Sequence, residues 1–263
     1  MQDLTGKVAW VTGAGTGIGE AAAVALAQRG MRVVLTGRRR EALAAVAARI
    51  RATAPGQAQV QPADLGQADA VEQLVSGIRA EFGRLDVVVN NAGTNIPARG
   101  WRALTPAGID TLIRGNLVSA FYVVQAALPI MRAQAGGLFI HTASWAGRFI
   151  GPVSGPGYTA AKHGMVAMSH TINLEECRHG IRSCVVCPGE VATPILKHRP
   201  IPETAETMAR MLQPEDMGEL IVFIASQPAH VCINEVLISP THNRGYLGTM
   251  QAREAALATA GKG

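Results

Sequence analysis

The chain is short of several things, and each shortage excludes a class of function. Aromatic residues make up 4% of its 263 positions and charged residues 16%. Nucleic-acid binding draws on clustered basic side chains interleaved with aromatic ones. Here the net charge of +5 is spread along the chain, with Arg38-Arg39-Arg40 as its one basic run. That run reads as a solvated helix start, and no nucleic-acid partner is expected. No apolar stretch approaches the roughly 20 residues that cross a bilayer. Met1 to Gly6 lacks the charged start and apolar stretch of a signal peptide. A cytoplasmic protein without a membrane partner is therefore expected. Cysteine is scarce as well: Cys177, Cys184, Cys187 and Cys232 are too few for a disulfide framework in a chain of this length. Cys184 and Cys187 have a metal-like spacing, but they lie in the strand-like run Ile181 to Cys187, where residues three apart point to opposite faces. Reduced, mostly buried thiols and no metal site are expected.

What is present is a 48% hydrophobic chain long enough for one large core, read as a single α/β domain over 1–263. Lys7 to Val11 is a short apolar strand. It runs into Thr12-Gly13-Ala14-Gly15-Thr16-Gly17-Ile18-Gly19 and then into an alanine-rich helix through Gln28. Strand, glycine turn and helix start form a phosphate-binding arrangement, because glycines admit the ligand to the backbone and free helix N–H groups supply donors. A second strand, Arg32 to Thr36, ends at Gly37-Arg38, where NAD-binding chains place an acid on the ribose diol. No acid stands there. The planar fork of Arg38 suits a 2′-phosphate instead, so the charge logic favours NADP, with NAD possible.

Glu41 to Ala52 reads as a helix, Gln57 to Gln61 as a strand and Asp69 to Phe82 as a helix. Asp64 leaves the strand where a carboxylate could accept from an adenine amino group or cap the turn. Asp86 to Val89 is a strand ending in Asn90-Asn91-Ala92-Gly93, small and amide residues suited to the crevice of an open sheet. Thr105 to Arg132 is one long helix carrying the polar Asn116. Gly137 to Thr142 is a strand that delivers Ser144 to the same sheet edge as Gly13 and Asn90. A glycine- and proline-rich loop, Arg148 to Gly157, leads to a helix over 158–178. There Tyr158 and Lys162 stand one turn apart on one face. A cation held beside a phenol favours the phenolate, so the pair could act as acid and base. Ile181 to Val186 is the sixth strand, 190–213 reads as a mobile lid, Met217 to Ser226 as a helix, Glu235 to Ser239 as the last strand, and 242–263 as a tail.

Taken in order, Thr12-Gly13-x-x-x-Gly17-x-Gly19, Asn90-Asn91-Ala92-Gly93, Asn116, Ser144, Tyr158-x-x-x-Lys162 and Pro188-Gly189-x-Val191-x-Thr193 resemble the short-chain dehydrogenase/reductase family over roughly residues 5–240. The resemblance implies a doubly wound, Rossmann-type, seven-stranded parallel sheet with helices on both faces. It also implies hydride transfer between a nicotinamide cofactor and a small alcohol or carbonyl substrate, in a homodimer or homotetramer. Carried over by position, Tyr158 would be the general acid/base and Ser144 would hold the substrate oxygen. Lys162 would lower the phenol pKa and bind the nicotinamide ribose, and Asn116 would hold a water linking Lys162 to solvent. Gly13, Thr16, Gly17, Ile18, Gly19, Arg38, Asp64, Leu65, Asn90, Ala92, Gly93, Pro188, Gly189, Val191 and Thr193 would contact the cofactor, together with Tyr158 and Lys162. The chain departs from the family pattern in three places. Ser144 to Tyr158 spans 14 positions, one more than is commonest, Thr16 stands where many NADP-using members have a basic residue, and Asn234 to Thr241 replaces a glycine-ending strand. An alternative on the same fold is a non-catalytic dinucleotide sensor. Substrate-pocket candidates fall on 94–101, 145–153 and 190–211, including Trp145, Phe149, Ile195, Arg99, Arg148, His198 and Arg199. The arginines are expected at the surface.

Overall fold

The computed structural model describes residues 1–54, 58–199 and 201–260. Gln57, the expected start of the third strand, and the side chain of His198 lie outside the described residues. Seven strands form one sheet: β1 (Val8–Thr12), β2 (Arg32–Thr36), β3 (Ala58–Val60), β4 (Val87–Asn90), β5 (Gly137–Thr142), β6 (Ile181–Pro188) and β7 (Glu235–Ile238). Their order is β3-β2-β1-β4-β5-β6-β7 and every pairing is parallel. The order reverses direction between β1 and β4. At such a switch point the connections leave to opposite sides, and a crevice opens beyond the carboxyl ends of the strands.

Alternation along the strands builds two cores. Ala9 and Val11 of β1 face one layer with Leu26, Met217 and Ile221, while Val8 and Trp10 face the other with Val71, Val123 and Met165. All are buried, and each fully buried large apolar side chain contributes about 1.5–3 kcal/mol. Trp10 satisfies its indole by donating from Nε1 to Thr36 Oγ1 at 2.9 Å. Cys184 and Cys187 fall into opposite cores as their spacing requires, whereas Cys177 and Cys232 are exposed, so only half the thiols are buried. Among the described residues no cluster of His, Cys, Asp and Glu could hold a metal.

Helices cover both faces. On one side lie α1 (Gly17–Gln28), α2 (Arg40–Thr53) and, after the lid, α8 (Pro214–Ala225). The alanines of α1 let α8 come close, since a Cβ at Gly218 would sit 2.9 Å from the Ala21 carbonyl oxygen. Helix α8 starts three positions before the expected Met217, because Pro214 and a Gln213–Asp216 capping box begin it. On the other side lie α3 (Ala68–Phe82), then α4 (Pro106–Ile113), α5 (Ser119–Ala133) and α6 (Pro156–Glu176). The helix expected over 105–132 is interrupted: Arg114–Val118 form a π turn between α4 and α5, centred on Asn116. Together, Pro106–Ala133 are long and apolar enough to cross a membrane. Their inner face, including Val123, Ala127 and Met131, is instead buried in the core. Helix α6 begins two residues earlier than expected, at Pro156, and a tight turn over Cys177–His179 follows it. A short α7 (Ala205–Ala209) lies in the lid, and α9 (Arg244–Ala260) forms the tail with no buried residue.

Candidate active site

A cavity of about 1880 Å³ runs along the carboxyl edge of the sheet, from the glycine turn after β1 to the start of α6. At its first end, Gly13 and Gly17 take left-handed conformations (φ 63 and 59). A Cβ at Gly13 would lie 3.0 Å from Ala92 Cα, and one at Gly17 would lie 3.0 Å from Thr193 Cγ2. Only glycine fits these positions, and the backbone is left open to the cavity. Thr16 is the N-cap of α1 and spends no side-chain hydrogen bond on it. Thr12 ties this turn to the end of β4, its Oγ1 accepting from Asn91 N at 2.9 Å and Ala92 N at 3.0 Å. Gly37, Arg38 and Arg39 form the wall beyond β2. Arg38 is exposed and makes no hydrogen bond or ion pair among the described residues. Asp64 lines the same end, but its Oδ1 accepts from Gly66 N at 3.0 Å, so it caps its turn while facing the cavity.

At the other end, Tyr158 and Lys162 share a face of α6, with Lys162 Nζ 5.5 Å from the phenol ring centroid. Lys162 is buried and donates to the Thr142 carbonyl oxygen at 2.8 Å. Burial pushes its pKa down to about 8, and Cys187 nearby acts in the opposite sense. Burial raises the Tyr158 pKa, while a hydrogen bond with Ser144 and the charge of Arg99 oppose it. Lys162 was expected to lower the phenol pKa. In this arrangement the ammonium stands over the phenol ring while donating to Thr142 O, and the charge of Arg99 also reaches the phenol. Ser144 caps the turn Trp145–Gly147, its Oγ accepting from Ala146 N at 3.1 Å. A Cβ at Gly147 would come within 2.9 Å of the Lys162 carbonyl oxygen, so the serine turn is packed directly on the tyrosine helix.

Asn116 is fully buried. Its Nδ2 donates to Thr94 O and to Leu112 O at 2.8 Å each, and its Oδ1 accepts from Thr94 N at 3.1 Å. The amide thus pins the chain beyond Gly93 to the π turn. A Cβ at Gly93 would meet Asn116 Oδ1 at 2.8 Å and Lys162 Nζ at 3.5 Å, which places the three side by side.

Of the residues expected at the cofactor, Gly19 and Asn90 do not line the cavity. Gly19 is packed onto its own turn, where a Cβ would be 2.3 Å from Gly13 O. Asn90 is buried and donates to Ala120 O at 3.1 Å, because strand alternation turns it towards α5. Asn91 lines the cavity instead, with Nδ2 donating to Thr12 O at 3.2 Å. The other expected residues all line it: Thr16, Ile18, Arg38, Asp64, Leu65, Ala92, Gly93, Pro188, Gly189, Val191 and Thr193, with Gly13, Gly17 and the four of the catalytic set.

The substrate end differs from expectation in its charges. Arg99 is 7% exposed and Arg199 also lines the cavity, so neither is a surface arginine. Arg148 turns away from the cavity to ion-pair with Glu235 of β7. This pair joins two of the departures from the family pattern, the longer loop and the altered last strand. Trp145 packs against the tilted ring of Phe149 at 4.6 Å and receives the edge of Tyr246 from α9 at 5.7 Å, making an aromatic wall. Trp101 points outward, 81% exposed.

The lid is tied to its surroundings at several points. Ala192 N donates to Leu212 O at 2.8 Å and Leu212 N to Glu190 O at 3.0 Å, closing its base. Arg199 and Arg244 each pair with both Glu190 and Glu203. Burial would raise both carboxyl pKa values, but the hydrogen bonds from Arg244 and Arg199 outweigh it and hold them below the usual range. Nothing local in the sequence marks this four-member cluster, because Arg244 lies 54 positions from Glu190.

The chain is similar to known proteins over most of its length. Residues 7–204 match the model of the short chain dehydrogenase family. A protein of Staphylococcus aureus described as an uncharacterized oxidoreductase is 34% identical over 244 residues, covering 91% of this chain and 100% of that one. Another so described, from Staphylococcus saprophyticus, is 34% identical over 247 residues with the same coverage. Among solved structures, a metagenomic short-chain oxidoreductase in complex with NADP superposes with a TM-score of 0.79 at 34% identity, covering 91% of this chain and 99% of that one. Levodione reductase gives a TM-score of 0.83 at 31% identity, over 89% and 96% of the two chains.

Proposed function

The chain belongs to the short-chain dehydrogenase/reductase family and is an oxidoreductase, and from that premise we propose that it transfers a hydride between NADP(H) and a secondary alcohol or ketone. The observation that carries the reading is the continuity of one cavity from the glycine turn to the phenol of Tyr158. The glycine cradle, where added Cβ atoms would collide with Ala92 and Thr193, fits a pyrophosphate. Arg38 and Arg39 beyond the end of β2, where Gly37 stands in the place of an acid, fit a 2′-phosphate better than a bare ribose diol. When bound, the nicotinamide would supply or accept the hydride. Thr16, Ile18, Asp64, Leu65, Ala92, Gly93, Pro188, Gly189, Val191 and Thr193 would hold the cofactor along this wall.

The proton chemistry falls to this chain's own residues. Burial keeps the Tyr158 phenol protonated at neutral pH, the form that donates a proton to a carbonyl oxygen becoming an alcohol. The Ser144 hydroxyl, bonded to that phenol, would hold the same oxygen and stabilise the charge that develops on it. Lys162 would bind the ribose hydroxyls and keep its charge over the phenol ring. Asn116 would hold the wall beside Lys162, where a water could pass protons onward. Exposed Phe121 on α5 and Leu174 on α6 support assembly into a dimer or tetramer through these helices.

The test is a titration of NADPH and NADH followed by tryptophan fluorescence, then a ketone panel with the wild type and Tyr158→Phe. NADPH should bind more tightly, and Tyr158→Phe should lose at least about a hundredfold in turnover while still binding NADPH. Retained turnover in that variant would sink the mechanism. A preference for NADH would overturn the role given to Arg38.

A further inference from the structure

The cavity beyond Ser144 has an apolar wall, and part of what shapes it comes from the tail. Trp145 follows Ser144 in the chain and lines the cavity, with the Phe149 ring tilted by 30° against it. Tyr246 of α9 meets Trp145 edge-on, with 71° between the ring planes. Phe149 and Tyr246 are both exposed, so neither ring is used up in the core. Ile150, Ile195 and Ile201 line the same end and are exposed as well. Single exposed apolar side chains are ordinary on a protein surface, but several gathered at one concave site mark a binding surface. The charged and amide groups around this wall already answer one another. Arg199 and Arg244 each pair with both Glu190 and Glu203, two cations against two anions. Arg99 donates from Nη1 to Val153 O at 3.3 Å. Asn95 donates from Nδ2 to Ser154 O at 3.1 Å and accepts on Oδ1 from Ile96 N at 2.8 Å. The wall offered to a ligand beside Ser144 is ring and hydrocarbon surface.

Aromatic side chains take a flat ring by offset or edge-on contact, whereas a charged group carried into such a wall would lose its hydration without gaining a partner. We propose that Trp145 and Phe149 form a ring-recognising subsite, that Tyr246 is a positioning residue holding the Trp145 indole from the tail, and that the substrate is an uncharged ketone or secondary alcohol with an aromatic ring next to the reacting carbon. Because Trp145 follows Ser144 directly, a ring held on it lies close to the oxygen that Ser144 and Tyr158 address. The tail can play this part because its start is fixed. Asn243 Oδ1 accepts from Gly245 N at 3.0 Å, and Arg244 Nε donates to Glu190 Oε2 at 2.7 Å. The substrate class rests on the hydride-transfer reading above; the ring subsite itself does not.

Two measurements on the NADPH-loaded protein test this. Benzamide, acetamide and benzoate, none of them a ketone, are titrated by calorimetry, and acetophenone and butanone are compared as substrates. Benzamide should bind at least about tenfold more tightly than either acetamide or benzoate, and acetophenone should exceed butanone by a similar factor in kcat/KM. In Tyr246→Ala the KM for acetophenone should rise about fivefold, with its kcat, the butanone kinetics and the affinity for NADPH unchanged. Tyr246→Phe, which keeps the ring, should behave as the wild type, and so should Leu257→Ala further along the same helix. Tyr246 stands on a helix with no buried residue, so these variants leave the core intact. Equal binding of benzamide and acetamide, tighter binding of benzoate than of benzamide, or a Tyr246→Ala variant that shifts both ketones alike or neither would overturn the proposal. Preferential binding of benzamide without turnover of any ketone would support the subsite and count against the hydride-transfer reading.

Discussion

His141 is a residue whose environment sets a measurable property of the protein. It sits in β5, fully buried, stacked on Phe139 at 5.8 Å, and neither ring nitrogen has a hydrogen-bond partner among the described residues. Burial, with the charge of Lys162 added, pushes its pKa from 6.5 to about 3. The unfolded chain takes up this proton near pH 6.5 and the folded chain does not. The stability is therefore complete above about pH 6.5 and drains away as the pH falls towards 3, a loss of roughly 5 kcal/mol at the limit. His141→Leu should remove that sensitivity. The difference in urea-unfolding free energy between pH 7 and pH 4 should shrink by roughly 3 kcal/mol, and an unchanged difference would refute the assignment. Lys162 shows the same physics at the site itself. Its pKa of about 8 against 10.5 means that holding it charged costs roughly 3 kcal/mol at neutral pH, stability that returns only as the pH rises through 8. That Asn116, Ser144, Tyr158 and Lys162 would gather at one end of the sheet was readable from residue types and spacing. The places of Asn90, Gly19 and Arg99 were not, because which way a side chain faces at a strand end or on a loop depends on the neighbouring elements.

At the scale of elements, the lid and the tail are coupled through charge. Arg244 at the start of α9 reaches Glu190 and Glu203 across the lid, beside Arg199. Arg244 is 40% exposed, so the pairing is screened by salt and is modest in energy. It bears on the closure of the cavity more than on global stability. Arg244→Ala should raise the substrate KM several-fold and remove its salt dependence, with the unfolding midpoint nearly unchanged. A KM equal to the wild type's across a sodium chloride series would show that the cluster does not hold the lid. Because the Glu190 and Glu203 carboxyls are held below their usual range, the cluster persists at neutral pH and is lost only in acid, as they take up protons. The π turn at Arg114–Val118 belongs to this scale too. Hydrophobic spacing predicts one helix over this stretch, and it cannot report the extra residue in one turn, which is set by Asn116 bonding to Thr94 and Leu112.

For the whole molecule, the long helices α5 and α6 leave Phe121 49% and Leu174 78% exposed on a chain of 27.5 kDa. Light scattering should give an integral multiple of that mass, and Phe121→Glu should shift the distribution towards the monomer. A wild type that runs as a monomer at micromolar concentration would remove the proposed assembly. The sheet was legible in the sequence because fully buried parallel strands read as apolar runs, each followed by a helix of its own period. The glycine turn, the Asn-Asn-Ala-Gly end of β4 and the Tyr158–Lys162 spacing are likewise local patterns, and with Asn116, Ser144 and the Pro188 to Thr193 stretch in register their resemblance to one family pointed to a nicotinamide oxidoreductase. Only the tertiary structure decided that Arg99 and Arg199 line the cavity and that the charge of Arg99 reaches the phenol, over whose ring Lys162 stands while donating to Thr142 O. It also decided that Glu235 answers Arg148 across the lengthened loop. These are contacts between segments tens of residues apart in the chain. Long-range electrostatics and burial are properties of the packed arrangement, and no local spacing encodes them.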